Sequence, residues 1–227
     1  MTDGASALDE AARASLRRVL ELLAHDPRSL TSVREPAAGW DVHVADSLAG
    51  LEIPELRGAT SIADLGAGAG FPGLALAAAL PAAAVDLIES VGRKAAFIAE
   101  AARAGSLPNA RPIPRRSEEW AREPPPAGGR EAYDAVSARA VGSLAAVAEL
   151  ASPLLREDGI LVAWRGRRDA AEEAALAAAA PRLAMAPERV VAVTPYPASR
   201  NRHLHVVRKV GPTPAGLPRR PGRAGVR

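Results

Sequence analysis

Ser61-Ile62-Ala63-Asp64-Leu65-Gly66-Ala67-Gly68-Ala69-Gly70-Phe71-Pro72-Gly73 is the stretch on which the reading of this 227-residue chain turns. Residues 61–65 have the apolar character of a buried strand, the glycines after them make a turn, and Pro72 suits the first turn of a helix. The segment therefore predicts a strand, a glycine turn and a helix in immediate succession.

Working outward, the same pattern repeats. Strands are expected at 84–88, 110–114, 133–137 and 160–164, with helices at 93–103 and 143–155 between them. A final pair, 189–193 and 203–208, reads as an antiparallel hairpin edge. Alternation of this kind predicts an α/β, Rossmann-like fold, a mostly parallel sheet with helices on both faces. Leu8, Leu16, Val19, Leu20 and Leu23 recur at helical spacing, so about 8–24 is expected to form an amphipathic helix ahead of the main fold. Glu123–Arg130, with three prolines and two glycines, reads as a surface loop. The expected organisation is an N-terminal helical extension (1–60) packed on the core, an α/β domain (61–210) and a flexible basic Pro/Gly/Arg tail (211–227).

Composition restricts the chemistry. Hydrophobic residues make up 48% of the chain and aromatics only 3%, so the core is expected to be aliphatic. Cysteine is absent, which excludes disulfides, thiolate metal sites and a cysteine nucleophile. Met1–Glu10 lacks a basic, then apolar, leader, and no segment approaches the roughly 20 apolar residues of a membrane span. A cytoplasmic protein with no membrane association is expected. Residues 200–227 hold eight of the 29 basic and none of the 26 acidic residues, so the first 199 carry a net −5. A basic tail on an acidic body can follow a phosphate backbone, or be no more than a solvated tail.

The glycine turn lets backbone approach a ligand closely. A dinucleotide fingerprint wants a sixth-position glycine and a free helix N-terminus facing pyrophosphate, whereas this chain has Phe71 and then Pro72. S-adenosylmethionine carries no phosphate and needs only close backbone and an apolar wall, so the motif favours it over NAD. Glu89, at the end of the second strand and 23 residues after Gly66, is placed to accept hydrogen bonds from ribose hydroxyls.

Together with Glu89-Ser90-Val91-Gly92-Arg93-Lys94, the Asp64–Gly73 segment resembles the RsmG family, also called GidB, of 16S rRNA guanine-N7 methyltransferases. The likeness continues through Asp46-Ser47-Leu48, Arg116-Ser117-Glu118-Glu119-Trp120, Tyr133–Ala140, Gly159–Gly166, Arg202-His203-Leu204 and Leu217–Gly222. It covers the chain from about residue 28 onward. The resemblance implies a seven-stranded class I methyltransferase sheet and S-adenosylmethionine contacts at Asp64, Gly66, Gly68, Gly70, Phe71, Glu89, Ser117, Glu118 and Arg139. It also implies the acceptor, N7 of guanine 527 (ribosomal numbering) in 16S rRNA, free or within the small subunit, and a monomer without an obligate protein partner. Two departures stand out: Arg165-Gly166 where relatives commonly have Lys-Gly, and the lengthened triproline loop.

Guanine N7 has an in-plane lone pair and no proton, so no general base is expected, and positioning and electrostatics should dominate. Arg139 and Arg165, at or just past predicted strand ends, are the candidates to line the site. Their alternatives are guanine O6 or phosphate recognition, donor-carboxylate binding, or ion pairing with Asp134 or Glu118. Arg165, Arg200, Arg202, Arg219, Arg220 and Arg223 are the candidate RNA contacts. His25, His43, His203 and His205 show no metal-ligand spacing, and no metal is expected. Of Trp40, Trp120 and Trp164, only Trp164 is expected near the site. A donor-binding RNA-interaction protein without methyl transfer, or a methyltransferase for another substrate, remains the alternative.

Overall fold

Glu10–His25 forms α1, started by the Asp9 carboxylate, which accepts the Ala12 N–H at 2.7 Å. The structure, a computed structural model, describes residues 8–28, 30–33, 35–222 and 224. After α1 comes a run of short helical turns: α2 (Pro36–Gly39), a π turn (Trp40–Ala45), α3 (Asp46–Leu48), a 3-10 turn (Ala49–Glu52) and α4 (Pro54–Arg57). The main fold then alternates: β1 (Ser61–Leu65), α5 (Gly73–Ala79), β2 (Ala84–Ile88), α6 (Gly92–Ala104), β3 (Ala110–Ile113), α7 (Ser117–Trp120) and β4 (Tyr133–Arg139). It closes with α8 (Leu144–Ala151), β5 (Leu155–Arg165), α9 (Ala170–Ala179), a 3-10 turn (Ala180–Leu183), β6 (Met185–Val193) and β7 (Arg202–Lys209).

The strands form one sheet in the order β3-β2-β1-β4-β5-β7-β6. The first five pair in parallel, and β7 runs antiparallel to both β5 and β6. As the sequence predicts, the last two strands pair antiparallel at one edge; within that pair β7 lies inside against β5 and β6 is the outermost strand. Because β2 and β4 lie on opposite sides of β1, the chain reverses direction across the sheet there, which opens a crevice at the carboxyl ends of β1 and β4.

Alternating side chains explain why both faces are covered. Ile62, Val85, Leu87, Ala135, Ile160 and Val162 pack into one apolar layer with Leu16, Val19, Leu20 and Leu23 of α1 and Phe97 and Ile98 of α6. Ala63, Leu65, Ile88, Val136, Leu161 and Ala163 face the other layer, with Leu144 and Val147 of α8 and Leu176 of α9. The N-terminal helix is thus part of a core layer.

Several elements depart from their predicted limits: β5 begins at Leu155 and β6 at Met185, each four or five residues early, α8 ends at Ala151, and α9 has no predicted counterpart. The helix after the glycine turn begins at Gly73, with Pro72 as its cap residue. Helix α9 carries no amphipathic signature, because of its ten residues only Leu176 is buried; its start is fixed by Asp169, whose carboxylate accepts the Ala171 and Glu172 N–H groups.

At the far end of β7, Lys209 is wholly buried, and its Nζ donates to Ser152 O at 2.6 Å, Ser152 Oγ at 3.1 Å and Thr213 Oγ1 at 2.9 Å. None of these partners is charged, and burial lowers the ammonium pKa from 10.5 to about 8. Between those two values the unfolded chain holds a proton that the folded chain has released, so this group's contribution to stability grows as pH rises from about 8 to 10.5. At about 1.4 kcal/mol per pH unit the gain is up to about 3 kcal/mol. In urea unfolding at pH 7.5 and pH 10, Lys209→Met is expected to lack this gain relative to the parent chain; parallel pH dependence in the two would show that the amine is not desolvated in the fold.

Candidate active site

The crevice is organised by one carboxylate. Asp64, fully buried at the end of β1, accepts the Gly73 N–H at 2.9 Å through one oxygen and the Ser137 hydroxyl at 2.8 Å through the other. Burial is the main cause that raises its pKa to about 6, against the opposing pull of these two hydrogen bonds. The glycine loop is therefore pinned at both ends, to β1 and to the start of α5. A Cβ at Gly73 would lie 2.7 Å from Leu87 and 2.9 Å from the Asp64 carboxylate, so only glycine admits this contact.

Gly66 takes φ +60°, and a Cβ there would stand 2.9 Å from Val141. Glu89, buried at the end of β2, accepts the Gly68 N–H at 3.0 Å and the Val91 N–H at 2.7 Å, so the same carboxylate shapes the loop and faces the crevice. Between them opens a cavity of about 300 Å³ lined by Gly66, Glu89, Ser117, Glu118, Val141 and Gly142, among others. Short α7 is held in place by Trp120, whose indole N–H donates to Tyr133 OH at 2.8 Å; that hydroxyl donates in turn to Asp86 at 2.6 Å. Ser117 and Glu118 reach the cavity from this anchored turn, and the Ser117 hydroxyl donates to Glu118 at 3.2 Å. Gly222 and Ala224 complete the wall, and the Gly222 N–H donates to Glu118 at 2.9 Å; Arg219, outside this lining, is ion-paired with Glu149.

On the other side of residues 139–142 lies a second cavity, of about 390 Å³, lined by His43, Asp46, Arg139, Trp164, Arg165 and Arg202, among others. Arg139 donates to Val42 O at 3.2 Å and to Asp46 at 3.0 Å. Its ion-pair partner is thus Asp46; Asp134 instead pairs with Arg156. Arg165 donates to Gly142 O at 2.7 Å, and the Trp164 indole N–H to Asp46 O at 2.8 Å. The His43 ring stacks on Phe71, with centroids 5.3 Å apart, and burial first, then the Arg139 charge, lowers its pKa to about 4. At neutral pH this imidazole is uncharged.

The predicted residues therefore divide. Gly66, Glu89, Ser117 and Glu118 line the first cavity; Asp64 and Gly68 support it through hydrogen bonds; Phe71 is buried behind the loop against His43. Gly70 and Phe71 are not among the residues lining the first cavity, and Arg139 lines the second together with Arg165 and Arg202. Arg200 is exposed and donates to Pro197 O and Ser199 O, Arg220 is exposed, and Arg223 lies outside the described residues. Sequence reasoning passed over His43 and Asp46 as site residues. The available signal was an aspartate inside an otherwise uncharged run, Val44-Ala45-Asp46-Ser47-Leu48, where burial of a carboxylate demands partners.

The first cavity fits a donor without phosphates. Where pyrophosphate would need free N–H groups at the start of α5, Pro72 has none, the Gly73 N–H is committed to Asp64, and the Leu74 N–H donates to Gly70 O at 2.7 Å. Glycine backbone and the Glu89 carboxylate remain, suited to an amino-acid moiety and a ribose. With its β7 slotted antiparallel beside β5, the sheet departs from the all-parallel dinucleotide-binding arrangement, and in class the chain is a Rossmann-like class I S-adenosylmethionine-dependent methyltransferase. A S-adenosylmethionine-dependent methyltransferase from Aquifex aeolicus superposes with a TM-score of 0.58 at 15% identity, over 82% of this chain and 99% of that one. The 1,6-didemethyltoxoflavin-N1-methyltransferase of Burkholderia thailandensis, solved with S-adenosylhomocysteine, superposes with a TM-score of 0.53 at 20% identity, over 88% and 89%.

Sequence comparison narrows the class. The chain belongs to the GidB family, rRNA small subunit methyltransferase G, whose model matches residues 14–204. A relative of that name from Trichormus variabilis is 35% identical over 217 residues, 92% of this chain and 87% of its own length. S-adenosylmethionine is accordingly the cofactor of this chain.

Substitution of Gly66 by valine combines a strained positive φ, about 1–2 kcal/mol, with collision against Val141. Calorimetric titration of Gly66→Val with S-adenosylmethionine is expected to show at least a tenfold loss of affinity, about 1.4 kcal/mol, with unchanged circular dichroism. Normal affinity in a folded variant would place the donor elsewhere.

Proposed function

We propose that this chain methylates N7 of a single guanine, position 527 in ribosomal numbering, in 16S rRNA of the small subunit. The observation that carries the reading is the second cavity, which adjoins the donor loop across only residues 139–142 and gathers Arg139, Arg165 and Arg202 where an anionic polymer presents a base. Family membership supports RNA of the small subunit as the acceptor.

Bound in the first cavity, S-adenosylmethionine supplies an electrophilic methyl group on a positively charged sulfur. The chain's part is to hold, orient and exclude. Glu89 and the Gly66 backbone would hold the donor, and the 139–142 segment, which contributes residues to both cavities, would lie between donor and acceptor. Guanine N7 attacks with its own lone pair and releases no proton, so neither Asp46 nor His43 has to act as a base. The neutral His43 ring, stacked on Phe71, adds no positive charge beside the arginines.

Incubation with methyl-labelled S-adenosylmethionine and small subunits from cells lacking this gene is expected to place label at N7 of one guanine, mapped by nuclease digestion and mass spectrometry. Label on another atom or on protein would replace the reading, and donor binding without label would reduce the chain to an RNA-interaction protein.

Arg165, Arg200 and Arg202 are the proposed RNA contacts nearest the cavity, and Arg219, Arg220 and Arg223 extend the basic character beyond it. Because Arg219 is engaged by Glu149, the tail's contribution is best read from the others. Replacing Arg220, Arg223 and Arg227 by alanine is expected to reduce the slope of log K against log salt for small-subunit RNA by roughly two to three, near one for each phosphate no longer neutralised. An unchanged slope would remove the tail from RNA binding.

A further inference from the structure

Beyond β7 the chain stays on the fold. The Val210 N–H donates to Ala184 O at 2.9 Å, the Thr213 N–H to the Glu131 carboxylate at 2.7 Å, and Leu217 O accepts from the Arg130 guanidinium at 3.1 Å. Leu217 also packs against the apolar layer that holds Leu144 and Val147 of α8. Arg219 then lays its Nε–H and a terminal N–H on the two oxygens of Glu149, a bidentate pair whose carboxylate is only 10% exposed. Three residues on, the Gly222 N–H donates to Glu118 Oε1 at 2.9 Å, and Gly222 and Ala224 line the 300 Å³ cavity.

The last two attachments are made to different walls of that cavity. Ala146 and Leu150 line it from α8, the helix that carries Glu149, whereas Ser117 and Glu118 line it from α7. Residues 219–222 therefore tie α8 to α7 at the cavity. Glu118 is 8% exposed, and its hydrogen-bond donors among the described residues are the neighbouring Ser117 hydroxyl and the Gly222 N–H, neither of them charged. Withdrawal of this segment would leave one oxygen of a buried carboxylate without its donor, at a cost in free energy that favours the closed arrangement.

Resting on the placement of S-adenosylmethionine in this cavity, we propose that residues 211–222 are a strap that retains the donor, with the Arg219–Glu149 pair as its latch and Glu118 as the cavity residue it positions. The closed strap slows departure of S-adenosylmethionine and of the S-adenosylhomocysteine left after methyl transfer. Arg219 and Glu149 lie outside the cavity lining, so they are positioning residues that act through Gly222 and Glu118.

The test is donor binding without RNA, by calorimetric titration for affinity and stopped-flow displacement for rates. Arg219→Glu sets two carboxylates against each other, and Glu149→Arg two guanidinium groups. Each is expected to weaken S-adenosylmethionine binding about 5- to 10-fold, the scale of one charged hydrogen-bonded contact, with the loss in the dissociation rate and association no slower than in the parent chain. The double variant rebuilds the pair in reverse, and the 750 Å³ groove lined by Glu149 has room for the longer side chain. It is expected to bind within about twofold of the parent, the non-additivity that marks a direct contact.

Single variants that hold the donor as tightly as the parent overturn the proposal. So do slowed association, or a loss that the double variant does not repair, because a general structural disturbance behaves in that way. Arg219→Gln, which removes only the charge at a partly exposed position, decides if a charge reversal does not fold. Gly66→Val, run alongside, separates the two readings. Normal donor binding there places the donor elsewhere and removes the strap with it; weakened binding there beside unchanged single variants keeps the cavity and rejects the strap.

Discussion

Asp64 joins the Gly73 N–H to the Ser137 hydroxyl, so a single carboxylate fastens the glycine loop, the first helix behind it and β4 to one another in a place water does not reach. Desolvating that group is costly, as its upward-shifted pKa records, and the two hydrogen bonds it accepts are what keep it in position. Everything at the crevice inherits this constraint. The loop leaves β1 at a fixed point and must arrive at α5 at another; Gly66 turns at positive φ because the path requires it; Glu89 then ties the middle of the loop to the end of β2. The cavity that emerges has a wall of loop backbone at Gly66, joined by Glu89, Ser117 and Glu118 from the neighbouring elements.

The N-terminal region completes the site from the other side. Its π turn and the helix after it bring His43 and Asp46 under the ends of β4 and β5, and Trp164 clamps them by its bond to Asp46 O. The indole has room because Gly50 has no side chain: a Cβ there would fall 2.4 Å from the ring. What reads along the chain as an extension before the fold supplies, in space, one wall of the second cavity. The two cavities meet at residues 139–142, with Arg139 and Ala140 turned to one and Val141 and Gly142 to the other.

The sheet was legible because buried parallel strands are short apolar runs bounded by turns, and five of them lie within a residue or two of their predicted starts or ends. The first cavity was partly legible for a related reason: Gly66 and Glu89 follow the ends of strands that local pattern marks, whereas Ser117 and Glu118, which line it too, came only from the family resemblance. The second cavity was not. Residues 36–57 fold as short turns of α, π and 3-10 type, which leave no sustained period in the sequence, and Asp46 meets Arg139 and Arg202 across 93 and 156 positions. Likewise Arg139 could be placed at the end of a strand, but which cavity it faces depends on β5 and on a helical run far upstream.

Arginine has displaced lysine almost everywhere in this chain: Lys94 and Lys209 are its only lysines. Lys94 is partly exposed in the first turn of α6, whereas Lys209 is enclosed among Ser152 and Thr213 with no surface of its own. Amine-directed reagents therefore have one accessible lysine on the native surface. Acylation of the second reports the opening of the β7 end and times a local unfolding event, a built-in clock for the rigidity of the sheet edge.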